Sequence, residues 1–94
     1  SADDSKAQNY LNQVRARAFG GGSNASSSTG SVLTKEIWDE RRLELAMEGH
    51  RFFDLVRTGE AAATITGFVT GKHEVFPIPQ TEIDISNLTQ NAGY

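Results

Sequence analysis

The sequence predicts a mainly α-helical fold closed by an extended C-terminal strap, and three observations predict it. Apolar residues recur at helical spacing over residues 5–19. Residues 36–59, EIWDERRLELAMEGHRFFDLVRTG, combine the highest charge density in the chain with many of its largest apolar side chains. Pro77 and Pro79 set the start of the tail on a path that no helix follows.

The first helix is expected over 5–19. Ala7, Tyr10, Leu11, Val14 and Ala18 form its apolar face, and Ser5 with Gln8 fits a capping box. Asp3 and Asp4 suit the positive end of the helix dipole, Arg15 and Arg17 the negative end, and Gly20 is a natural stop. Residues 20–31, GGGSNASSSTGS, hold nothing apolar larger than Ala25 and have nothing to bury. A flexible surface loop is therefore expected over 20–33. Gly20, Gly22 and Ala25 match a degenerate dinucleotide-binding pattern, but a helix precedes them and serines follow, where a strand and a helix are required. Asn24-Ala25-Ser26 and Asn87-Leu88-Thr89 are glycosylation sequons of a kind frequent by chance.

A central helix is expected over 34–48, capped by Thr34, packed antiparallel to the first and broken at Gly49. A second short helix is expected over 51–57, at an angle. On a helical wheel Ile37, Glu40, Arg41, Glu44 and Glu48 share one sector. Leu43 and Met47 flank it on one side, Trp38 and Leu45 on the other. The acidic column Glu40–Glu44–Glu48 is thus bracketed by apolar residues, not set opposite them. Like charges at i,i+4 cost about 0.2–0.5 kcal/mol per pair on an exposed helix, so cations should offset the column. Arg41 lies three residues from Glu44 and Arg51 three from Glu48, and Arg51, Asp54 and Arg57 continue the alternation. The expectation is a partly buried ion network of Glu40, Arg41, Glu44, Glu48, Arg51, Asp54 and Arg57 that cements two helices. A catalytic carboxylate pair is the competing reading. The interleaved arginines and the absence of any cleft in the pattern weigh against it.

Residues 60–63 suit a helical extension, and 64–69 are β-branched enough for a short strand that Gly67 and Gly71 interrupt; neither pattern decides residues 60–74. His50 and His73 are the only histidines and lack the i,i+4 partner of a helical zinc site, so no metal is expected. In the tail, Phe76, Ile78, Ile83, Ile85 and Leu88 are spaced to pack a strap against helices, and 81–84 reads as one helical turn capped by Thr81.

The totals exclude several classes. Ninety-four residues allow one small domain. A net charge of −3 gives no basic footprint for nucleic acid. No run approaches the roughly 18 apolar residues of a membrane span. With no cysteine, disulfides, thiolate catalysis and cysteine zinc sites are excluded within these residues, as is a lipid-attachment cysteine. Residues 1–6 are polar and acidic without a signal-peptide pattern, and the chain is expected to be a piece of something longer.

Three stretches resemble one family in the same order. NYLNQVRARA resembles a helix ending in N-x-V-R-x-R-A. ERRLELAMEGHRFFDLVRTG resembles E-R-x-x-E-L-x-x-E-G-x-R-x-x-D-L-x-R. FPIPQTEIDISNLTQNAGY resembles P-I-P-x-x-E-I with a closing Q-N-x-G-Y. Together they resemble the C-terminal end of the SusD/RagB family, over most of the chain apart from the Gly/Ser loop and residues 61–72. The resemblance implies a tetratricopeptide-like helical scaffold, of which residues 1–94 are the C-terminal portion. It also implies a lipoprotein on the outer-membrane surface of Bacteroidetes, several times longer than this chain, held by a lipid anchor that these residues do not carry. Such proteins bind glycans or other nutrients, cap a SusC-like TonB-dependent transporter, and are binders, not enzymes; no cofactor is implied. Glu40, Arg41, Glu44, Glu48, Arg51, Asp54 and Arg57 match the family motif, which is taken as structural. The family's ligand platforms are aromatic residues from earlier in the chain, so no ligand-binding residue is assigned here, and Trp38 is expected to be packed. Ala92 stands where many members have proline, which should loosen the closing turn. The alternative reading is a stand-alone helical protein-interaction module.

Overall fold

A computed structural model describes residues 2–94. It divides into two compact units, one ending at His50 and the other Arg51–Tyr94. The helices are α1 (Ala2–Phe19), α2 (Gly30–Glu44), α3 (Arg51–Thr58), α4 (Ala61–Thr64) and α5 (Gln80–Ser86), with a 3-10 turn at Gly22–Asn24. No strand occurs among the described residues, so the mainly helical prediction holds.

In the first unit the Gly/Ser segment is hydrogen-bonded along α1. It leaves α1, turns through Gly22–Asn24, and runs back along α1 in extended form to Gly30. A polar stripe on α1 grips it. Arg15 Nη1 donates to the carbonyl of Asn24. Asn12 takes both backbone groups of Ser26, accepting from its N–H at 2.7 Å and donating to its carbonyl at 2.9 Å. Gln8 Nε2 donates to the carbonyl of Ser28, and Asp4 Oδ2 accepts from Gly30 N–H at 3.2 Å. The spacing explains the register. One helical turn rises about 5.4 Å and an extended dipeptide about 6.6 Å, so each turn of α1 meets every second residue of the segment. Gln8 is thereby committed to the segment, and the capping box expected from Ser5 and Gln8 is not formed; α1 begins at Ala2.

The return path brings α2 alongside α1 in the same direction. Asp4 reaches Gly30 at one end and Arg17 reaches Glu44 at the other. The expected antiparallel packing is therefore corrected to parallel, because residues 25–29 travel back the length of α1 before the second helix starts. That helix begins at Gly30, so the loop expected over 20–33 gives up its last four residues to α2. Two causes are visible. The Asp4 carboxylate sits at the N-terminus of α2, where a negative charge is favoured. Leu33, only 2% exposed, is drawn into the first turn by burial. Thr34 is then inside the helix, and its hydroxyl donates back to the Gly30 carbonyl instead of capping.

At the other end α2 stops at Glu44, one turn before the expected Glu48. Leu45 leaves the helix, and Met47 and Gly49 turn the chain at φ 68° and 78°. Met47 is fully exposed in that left-handed conformation. The acidic column therefore ends with Glu44, and Glu48 lies in the turn.

The second unit is built on α3, whose Leu55 packs at 5% exposure with Ala61 of α4 at 3%. The β-branched run 64–69 is no strand; Thr64 ends α4, and the chain turns repeatedly through residues 65–75. From Phe52 a row of rings extends to Phe76 (5.9 Å between centroids) and Phe68 (6.5 Å), then from Phe68 to His73 (5.7 Å) and His73 to Tyr94 (6.5 Å).

The tail holds on by polar contacts more than by the apolar packing expected of it. Phe76, Ile85 and Leu88 are 69%, 79% and 48% exposed, while Ile78 and Ile83 are half-buried. Gln90 behaves like a neighbouring strand. Its Oε1 accepts from Ile78 N–H at 2.8 Å, and its Nε2 donates to the Ile78 carbonyl at 2.9 Å. Asn91 donates to the Phe76 carbonyl and Tyr94 Oη to the Val75 carbonyl. Gly93, at φ 87°, lets the Lys72 stem lie against it; a Cβ there would meet that stem at 3.1 Å. Helix α5 covers Gln80–Ser86 rather than one turn, with Pro79 and not Thr81 at its start.

Gln90→Ala leaves two backbone groups of Ile78 without their partner, a loss of about 1–2 kcal/mol at this partly exposed site. The Ile78 amide is expected to exchange about tenfold faster with solvent deuterium, which NMR reads directly.

Candidate functional site

The charged seam of the first unit joins α1 to α2. Arg15 Nε donates to Glu40 Oε2 at 2.9 Å, and its Nη1 lies 3.8 Å from Glu36 Oε2. These side chains are well covered, Arg15 at 21% exposure and Glu40 at 13%. One turn on, Arg17 Nη2 donates to Glu44 Oε2 at 2.6 Å, in the open at 64% and 41%. Glu36 also accepts from the hydroxyls of Ser26 and Ser28. The segment between the helices is thus gripped from both sides, by the α1 stripe on its backbone and by Glu36 of α2 on its side chains. The Ser26 hydroxyl first, then that of Ser28, and then the Arg15 charge hold the Glu36 carboxyl below the usual carboxylate range.

Beside the seam, α1 and α2 leave an open groove of about 480 Å³ between Tyr10, Leu11 and Val14 on α1 and Ile37 of α2 with Leu45 just past its end. Glu40, Arg41 and Glu44 also line it. Glu40 and Glu44, one turn apart, are each matched by a separate arginine. Such interhelical pairs suit joining the two helices.

The second unit has a smaller hollow of about 320 Å³ framed by Phe52, Phe68, His73, Phe76 and Tyr94. Lys72 Nζ stands 4.8 Å from the centroid of Tyr94, a cation–π distance. Among the described residues no three of His, Asp and Glu converge as a metal site. His50 is exposed in the turn before α3.

The seven residues singled out by the sequence fall in three places. Glu40, Arg41 and Glu44 are on α2, and Glu48 is in the following turn. Arg51, Asp54 and Arg57 are on α3, where Arg57 Nη2 donates to Asp54 Oδ1 at 3.4 Å. The cations that match Glu40 and Glu44 are Arg15 and Arg17, which sequence reasoning assigned only to the helix dipole. A signal was present: Arg15 is four residues from Leu11, so it shares the packed face of α1. Glu36, Ser26 and Ser28 were also missed, and no local pattern marks them.

A family model for the SusD family matches residues 1–74. The chain belongs to the SusD family. That match takes in the seam, the groove and the second unit as far as Glu74. The FPIP and QNAGY pieces of the tail lie beyond it. No curated protein and no solved structure matches the chain. SusD-family membership places it among binding proteins of nutrient uptake at the outer membrane. Among the described residues, no helix is long and apolar enough to cross a membrane.

Two expectations follow from the seam. Arg15→Ala strips the partner from a largely covered Glu40 and should cost about 1–3 kcal/mol, against less than about 1 kcal/mol for Arg17→Ala at the exposed pair. Urea titrations followed by circular dichroism compare the two. The second concerns acid. A carboxyl whose value is lowered by folding stabilises the fold above its unfolded value and loses that contribution as pH falls through the folded one. Stability should therefore drop as pH goes below the usual carboxylate range, and Glu36→Gln should flatten that part of the profile.

Proposed function

We propose that this chain is the C-terminal scaffold portion, residues 1–94, of a SusD-like lipoprotein that binds an oligosaccharide or other nutrient at the bacterial surface. Its partner is a SusC-like TonB-dependent transporter, and its membrane attachment is a lipid anchor outside these residues. The observation that carries the reading is the family match over residues 1–74. The chemistry agrees with it. Asp4, Arg15, Arg17, Glu36, Glu40 and Glu44 of the first unit are spent on joining two helices and the segment between them, and the seven motif residues Glu40, Arg41, Glu44, Glu48, Arg51, Asp54 and Arg57 take a structural role, not a catalytic one. The nutrient is recognised by other parts of the protein, and the role of this portion is to hold the scaffold in shape.

The open groove between α1 and α2 is the one feature that favours the alternative, a free-standing helical module docking a protein partner. The source gene separates the two. A reading frame several times longer, with a signal sequence and an acylated cysteine, excludes the module.

The functional test is affinity purification of the native protein from detergent-treated outer membranes. A β-barrel transporter of the TonB-dependent class is expected in near-equal amount, with the tagged protein cleaved by protease added to intact cells. Recovery from the soluble fraction, without any such transporter, would remove the proposal.

A further inference from the structure

The turn at residues 69–74 is closed by Lys72 and His73 N–H donating to the Val69 carbonyl at 3.2 and 3.0 Å, and two side chains also reach back to its backbone amides. Val69 N–H donates to His73 Nδ1 at 2.9 Å, and Gly71 N–H donates to Glu74 Oε1 at 2.9 Å. An imidazole nitrogen that accepts a hydrogen bond carries no proton, so the ring proton of His73 is on Nε2. The same ring stands edge-on to Phe68 and faces Tyr94, whose hydroxyl donates to the Val75 carbonyl. His73 therefore links the turn, the aromatic hollow and the closing residue.

We propose that His73 is a proton-operated latch on one amide of this turn, which holds Val69 N–H as a neutral imidazole and releases it when protonated. A second proton turns Nδ1 from acceptor to donor. It then meets Val69 N–H donor to donor, and that clasp is lost while the backbone bonds to the Val69 carbonyl remain. Two charged side chains flank His73 in sequence, the Lys72 ammonium, which stands over the Tyr94 ring, and the Glu74 carboxylate, which holds Gly71 N–H. Tyr94 brings a hydroxyl and a ring face but no charge to this contact from its side chain. Glu74 does not share the switch. The Gly71 N–H above all holds its carboxyl below the usual carboxylate range, so it stays ionised while an imidazole titrates. Of the two side-chain clasps on the turn, one is thus sensitive to mild acid and the other is not, which makes the response local rather than a general unfolding.

Amide hydrogen exchange by NMR on the full chain tests this between about pH 8 and pH 5, the range in which imidazoles titrate. Rates are expressed as protection factors so that the intrinsic pH dependence of exchange cancels. Val69 protection is expected to fall about tenfold across the range, the size of one lost hydrogen bond, while Gly71 holds its protection. The 15N shift of His73 should report an unprotonated Nδ1 at the high-pH end. His73→Asn keeps an acceptor near the Nδ1 position without a titrating group, and its Val69 should stay protected throughout. His73→Phe should leave Val69 unprotected at every pH. A flat Val69 profile in the unsubstituted protein, whether protected or not, overturns the latch. So does a parallel loss at Gly71, or an equal loss in His73→Asn.

Discussion

Everything in the first unit depends on one constraint: a segment with no apolar side chains must still find partners for its backbone polar groups as it crosses a packed face. The α1 stripe of Asp4, Gln8, Asn12 and Arg15 meets that requirement, one side chain per helical turn. Because the segment is held this way, it travels back along α1, and α2 must start beside the N-terminal end of α1 and run parallel to it. The pairs Arg15–Glu40 and Arg17–Glu44 follow from that direction. In an antiparallel pair the same arginines would lie near the first turns of α2, far from Glu44.

The second unit solves a similar problem by different means. Its turns and tail are too short to build ladders, so single side chains imitate the missing backbone neighbours. Gln90 takes both groups of Ile78, Glu74 takes Gly71 N–H, and His73 takes Val69 N–H. The aromatic row from Phe76 through Phe52 and Phe68 to Tyr94 supplies the apolar contact between these pieces.

The helices were legible because their signals are periodic: α1 from its apolar repeat, α3 from the short run after Gly49. The family resemblance was legible for a different reason, three motifs in order, and the match over residues 1–74 supports it. The direction of α2 was not legible, because ten intervening residues permit either direction and only the tertiary grip on 24–30 decides. Arg15 shows the same limit on the scale of one side chain. Its position fits a dipole role and an interhelical pair equally well, and burial beside Leu11 chooses the second. The path of 60–74 was illegible because side-chain clasps such as His73 on Val69 have no period to detect.

The grip on the Gly/Ser segment has a consequence for how freely its length can change. Much of the hold is on the backbone, so small residues can replace one another there, with Ser26 and Ser28 the exceptions because Glu36 takes their hydroxyls. A single added residue within 25–29 would slip every later contact by half its two-residue period. Carbonyls would then face where amides are needed, and Gly30 would leave Asp4. Nothing crowds a side chain at Gly21 or Gly22, whereas Gly20, at φ 71°, would strain one. Length variation and inserted peptides should therefore be tolerated at 21–22 and resisted a few residues later, a sharp boundary inside what reads as one uniform low-complexity stretch.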